Sequence, residues 1–153
     1  MPSPSEIALG VALKELMGNL FVMYLRAHGA HWNVEGMLFA PLHKYFGHLY
    51  EDVFESIDPV AEALRQHDMY APYTLSHVAK LATIADVQLT NGQPTPMLQD
   101  LVGVNSQVQS SLAKAFRAAE SAGDLGLANF LQDRMAAHLK HAWQLRAHLK
   151  NFD

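Results

Sequence analysis

Residues 67–92 read HDMYAPYTLSHVAKLATIADVQLTNG, and the length of this connection decides the fold. His67 to Pro72 is a loop, Thr74 can cap a short helix over Leu75 to Leu81, and Thr90-Asn91-Gly92 closes the stretch with a turn. A link this long crosses from one end of a helical bundle to the other, so the helices that it joins run parallel.

Outward from the crossover, Pro and Gly fall at a few places, and the apolar residues between them recur three and four apart. No β-hairpin signal stands out. Upstream, Ser3-Pro4-Ser5-Glu6 is a capping box with proline at the first helical position. Leu9, Leu13, Leu16, Leu20, Tyr24 and His28, flanked by Met17 and Phe21, carry one face of a first helix to about Trp32 or Asn33. After a Gly-containing bend over Asn33 to Phe39, Pro41 opens a second helix through Leu42, Phe46, Leu49, Val53 and Ile57 to about Gln66. Pro59 lies inside that pattern and removes the bond to the Glu55 carbonyl, which predicts one helix with a kink. Downstream, Thr95-Pro96 starts a third long helix to about Ala122, and Gly123-Asp124 ends it and caps a fourth to about Lys150. The expected fold is all-α, one domain over residues 1–153: a four-helix bundle of ferritin-like connectivity, with a short helix in the crossover between the second and third helices.

Composition agrees with one globular domain: 153 residues, 50% hydrophobic and 17% charged, with nine Gly and seven Pro. No stretch reaches the roughly 18 uninterrupted apolar residues of a membrane span, and MPSPSEIALG has no basic region ahead of an apolar run, so a cytoplasmic protein with no membrane partner is expected. The absence of cysteine excludes disulfides, thiolate nucleophiles and Cys-ligated metal. Eleven Lys+Arg against fifteen Asp+Glu give −4, which repels a phosphate backbone. Nine histidines are the unusual feature.

His28 and His31 share a face of the first helix, His43 opens the second, and Asp58 and Glu62 share a face further along it. Imidazole and carboxylate together suit iron, manganese or zinc. Each residue also has a plain structural reading: Asp58 could cap a resumed helix, and Glu62 could pair with Arg65 or Lys80. Asp58 and Glu62 lie roughly 22 and 28 Å beyond His43 along a straight helix. They cannot share its metal within one chain. If all four are ligands, His31 and His43 of one subunit must meet Asp58 and Glu62 of another across a two-fold interface. The Glu-x-x-His pattern of metal centres built inside one bundle occurs nowhere.

HWNVEGMLFAPLHKYFGHLYEDVFESIDPVAEALR, residues 31–65, resembles the signature of the Dps miniferritins, His-Trp-Asn followed by a second His and then Asp-x-x-x-Glu. The similarity extends through AGDLGLANFLQDRMAAHLKHAWQLRAHL and covers about Leu9 to Leu149. The resemblance implies a hollow dodecamer that binds Fe(II) between two-fold related subunits, oxidises it to Fe(III), preferably with hydrogen peroxide rather than dioxygen, and stores the ferric mineral. It assigns His31 and His43 of one subunit, and Asp58 and Glu62 of its mate, as iron ligands, for which zinc and manganese would compete. Trp32 matches the tryptophan held to take up stray oxidising equivalents; its plain reading is interfacial packing. Trp143, spaced with Met135, Leu139 and Ala147, reads as core.

The family often carries an acid four residues after His43, where this chain has Gly47 followed by His48, so the second iron should bind more weakly. Pro59 directly after Asp58 should re-aim the two carboxylates. The acidic three-fold channels of the family correspond to Asp124, Asn129 and Asp133, one of them neutral; Asp124 also reads as a helix cap. DNA binding in the family often uses a Lys/Arg-rich arm, whereas the first 25 residues here hold only Lys14 and the end reads Lys150-Asn151-Phe152-Asp153. DNA binding is expected to be weak or absent. Two other functions fit the same residues: a DNA-compacting structural protein with a vestigial metal site, and a zinc or manganese buffer without redox turnover.

Overall fold

The computed structural model describes residues 1–88 and 91–151. It is built from α1 (Pro4–Asn33), α2 (Phe39–Glu55), α3 (Ile57–Gln66), α4 (Leu75–Leu81), α5 (Pro94–Ser121) and α6 (Leu125–His148), with no strand among the described residues. Thr90 of the expected crossover turn, and the terminal Phe152 and Asp153, lie outside the described residues.

Local chemistry sets the helix ends. Ser3 accepts from the Glu6 N–H, and the Glu6 carboxylate accepts from the Ser3 N–H at 2.7 Å, the reciprocal pair of a capping box. Thr74 caps α4 through the His77 N–H, and Asp124 caps α6 through the Leu127 N–H. Gly123, at φ 76°, supplies the left-handed residue that separates α5 from α6. Pro41 and Pro96 fall in first turns, where a missing N–H leaves nothing unpaired. α5 begins one residue earlier than expected, at Pro94, and α6 ends two residues sooner, at His148.

The predicted kink at Pro59 becomes a break at Ser56 that separates α2 from α3. The Ser56 N–H reaches the Val53 carbonyl at 3.2 Å and its hydroxyl reaches the same oxygen at 2.6 Å, a tightened turn with right-handed helical dihedrals. Breaking upstream puts Pro59 in the first turn of α3, where it is tolerated.

The expected apolar faces form the core. Leu9, Leu13, Leu16 and Leu20 of α1, Leu42, Phe46, Leu49 and Val53 of α2, and Ile57 of α3 are buried. α1 packs against α2 and α5, and α5 against α6. By length and composition α1 could cross a membrane, but half of its most apolar window is buried in the bundle. Asn19, fully buried on α1, accepts the N–H groups of Thr83 and Ile84 through Oδ1. Its amide donates to the Thr83 and Ser111 hydroxyls, which ties the crossover to α1 and α5.

One assignment is corrected. Trp143 is 60% exposed and Leu139 63%, and Ala147 is also exposed; only Met135 packs against the core. The α6 core stripe runs instead through Leu131, His138, Ala142 and Leu145.

The seam between α2–α3 and α6 is bridged by side chains. Asp52 accepts from both Arg134 nitrogens, at 3.0 and 2.8 Å, and from His141 Nε2 at 2.6 Å. Burial works to raise the Asp52 carboxyl, but the His141 and Arg134 hydrogen bonds outweigh it and hold the group well below the usual carboxylate range. Behind it, His138 donates from Nδ1 to the Asn105 side-chain oxygen Oδ1 at 2.9 Å and accepts from Arg134 at Nε2. Burial, followed by the Arg134 charge, pushes His138 down to about 3, so it is neutral at pH 7.

Candidate metal centre

The bend at residues 34–38 brings the last turn of α1 against the first turns of α2. His31 and His43 stack there with ring centroids 3.7 Å apart. His31 Nδ1 lies 2.6 Å from the His43 carbonyl, and His43 Nδ1 lies 2.7 Å from the His31 carbonyl. A carbonyl only accepts, so each Nδ1 carries a proton, and in the uncharged ring the lone pair is then on Nε2. This tautomer is the one that binds metal through Nε2. Gly47 closes the pair from beneath: a Cβ there would stand 3.3 Å from His31 Cε1 and Nδ1, closer than ordinary contact. Glycine at this position leaves room for the ring. Phe39 stacks on His43.

His28 shares a helix face with His31 but does not join the pair. Its ring is sandwiched between Tyr50, at 3.7 Å and 10°, and Trp32, at 3.8 Å and 33°, and its Nδ1 lies 2.9 Å from the Tyr24 hydroxyl. Burial, then the neighbouring His31, lowers its pKa. Trp32 is 57% exposed on this stack. Sequence reading put Tyr24 on the same helix face as His28 but gave neither it nor Tyr50 a part in the site. Their spacing, four residues before His28 and seven after His43, is the signal that places them beside these histidines.

Asp58 and Glu62 stand exposed, one turn apart on α3. Asp58 makes no cap, and Glu62 forms no salt bridge among the described residues. The two acids influence each other instead. The hydrogen bond with Asp58, then the Asp58 charge, raises the Glu62 carboxyl. Two carboxyl groups one turn apart on an exposed face present a receptor for a cation, whose charge offsets their mutual repulsion.

Within one chain these halves stay apart: among the described residues, no three His, Asp or Glu side chains come within reach of one ion. The histidine pair offers two nitrogen lone pairs, and the α3 pair two carboxylates. This combined donor set suits ferrous and ferric iron.

Of the three residues matched to an ion channel, Asp124 is already engaged. It caps α6 and meets His67 Nε2 at 2.9 Å, and the Leu127 N–H, then His67, lowers its pKa. Asn129 and Asp133 are exposed on α6.

A family model described as a ferritin-like domain matches residues 11–153. The DNA protection during starvation protein of Brevibacillus brevis is 30% identical, over 98% of this chain and 100% of its own length. The protein of that name from Helicobacter pylori is 27% identical, over 90% of this chain and 95% of its own. The crystal structure of a Dps protein from Bacillus brevis superposes with a TM-score of 0.91 at 28% identity, covering 98% of this chain and 100% of that one. A Vibrio cholerae DPS protein, described as a member of a broad superfamily of ferritin-like diiron-carboxylate proteins, gives 0.89 at 28% identity, covering 95% and 91%.

Proposed function

Because this chain belongs to the ferritin-like domain family, and within it to the Dps proteins, we propose that it is a cytoplasmic ferroxidase. It assembles as a dodecamer, oxidises Fe(II) between two-fold related subunits and stores the ferric product inside. The observation that carries this reading is the reciprocal bonding of His31 and His43, which leaves both Nε2 lone pairs free for a metal. Asp58 and Glu62 of the facing subunit would complete the set, since among the described residues nothing within one chain does.

Each of two Fe(II) gives one electron to a single hydrogen peroxide. The peroxide takes up two protons, its O–O bond breaks, and it leaves as two waters; pairing the electrons avoids releasing a hydroxyl radical. Dioxygen is the alternative oxidant. In this reading Trp32, next to His31 and stacked on His28, takes up stray oxidising equivalents. With Asp124 engaged, Asp133 is left to attract incoming cations beside neutral Asn129, a weak field. Protection then comes from removing peroxide and ferrous iron together. With a net charge of −4, DNA retardation is expected to be weak or absent at physiological salt.

The test is an anaerobic Fe(II) titration of the metal-free assembly followed by hydrogen peroxide. About two irons oxidised per peroxide, much faster than in buffer, is the expected result. His31→Ala and Asp58→Ala should each bring the rate near that of buffer while the assembly persists. Wild-type rates in both variants would overturn the assignment, and zinc or manganese uptake without iron turnover would favour a buffering role.

A further inference from the structure

The end of the crossover touches the turn that carries His31. Glu35 follows α1 by two residues, and in a continuing helix its N–H would pair with the His31 carbonyl. It donates instead to the Gly92 carbonyl at 2.9 Å. The His31 carbonyl is thereby left for another donor, and the His43 Nδ1–H takes it at 2.7 Å. One half of the reciprocal histidine bonding thus depends on a hydrogen bond from outside the pair.

The approach that makes this bond leaves no room for a side chain. Gly92 is buried, and a Cβ there would overlap the Asn33 carbonyl oxygen and stand 2.8 Å from Glu35 Cγ. Neither side retreats freely. Ala30 and Val34 anchor the end of α1 in the core, and Met97 and Leu98 anchor the start of α5 just beyond Gly92. Arg26 ties the same two helices through both Asp100 oxygens, at 2.7 and 2.8 Å. A side chain at 92 must therefore move the backbone of residues 33–35. The rings follow, because each is held by the other residue's main-chain carbonyl.

We propose that Gly92 is a positioning residue for the His31–His43 pair: its carbonyl holds the Glu35 N–H away from His31, and its missing side chain lets the crossover come close enough to do so. The consequence for metal binding rests on the reading of that pair as ligands; the placement of the rings does not.

Deuterium exchange at the Cε1–H of each histidine ring, read by mass spectrometry on the metal-free assembly, reports ring access without any metal. Gly92→Ala should speed exchange at His31 and His43 severalfold and, in a Co(II) titration, weaken binding about tenfold. Gly18→Ala is the matched control. Its Cβ would stand 2.7 Å from the Ala82 nitrogen, again between α1 and the crossover, but roughly 20 Å from His31 along α1. It should lower the melting temperature and leave ring exchange and Co(II) affinity as in the wild type. Should Gly92→Ala fail to assemble, Glu35→Pro, at an exposed position after extended Val34, removes the N–H that tethers the turn and should give the same changes. Wild-type exchange at both rings in Gly92→Ala and Glu35→Pro, or equal acceleration in Gly18→Ala, would overturn the proposal. If the wild type takes up no Co(II) while ring exchange responds as expected, the metal reading fails and the positioning of the rings stands.

Discussion

Gly47 and His138 show how single residues set the chemistry. A side chain at 47 must push against His31, so Gly47→Ala should weaken Fe(II) binding severalfold by sterics alone, while Gly47→Asp should recover part of that loss by adding a carboxylate. Iron titration of the two variants checks the order; equal affinities for glycine and alanine would show that the His31 ring yields freely. His138 is held near 3 in the fold against about 6.5 unfolded. Between those values the unfolded chain takes up a proton that the folded chain refuses. Its contribution to stability is therefore complete above pH 6.5 and falls as the pH drops toward 3, by about 3 kcal/mol at pH 4.5. Melting temperatures from pH 7.5 to 4.5 should fall more steeply for the wild type than for His138→Gln; parallel slopes would remove His138 from the account.

Among the elements, the α2–α3 break controls the aim of the acids. Pro59 is in the first turn of α3, where its missing N–H costs little, so Pro59→Ala should change stability by less than about 1 kcal/mol. Closing the break would turn Asp58 and Glu62 relative to α2 and reduce iron affinity at nearly constant melting temperature. A variant that binds iron like the wild type would show that the break does not set their direction. Caps and periodicity made most of these elements legible: the Ser3 box, Thr74, Gly123-Asp124 and the leucine stripe of α1 all stand where local sequence puts them. That His43 lies too far from Asp58 and Glu62 to share an ion with them within one chain was legible from helix rise, and the described residues agree. The Asp52–Arg134–His138–Asn105 network was not, because its members come from α2, α5 and α6 and no local pattern joins them. Nor did spacing reveal that Trp143 is exposed. A helix's period shows which residues share a face, but the partners decide which face is covered.

For the whole molecule, the exposed apolar side chains need an explanation. Trp143 and Leu139 on α6, Trp32 and Leu25 on α1, and Phe54 on α2 are more than half exposed on a single chain. Large apolar groups left open in this number suit subunit contacts. Trp143→Glu should lower the mass measured by light scattering while helical circular dichroism is kept; an unchanged mass would place the tryptophan outside the interfaces.

The buried amide of Asn19 has a consequence for how the crossover is held. Its partners lie 64, 65 and 92 residues further along the chain, so the pocket that receives Thr83 and Ile84 exists only where α1 has met α5. The connection that dictates the topology is therefore pinned by long-range contacts, a clasp that needs α1, the crossover and α5 together.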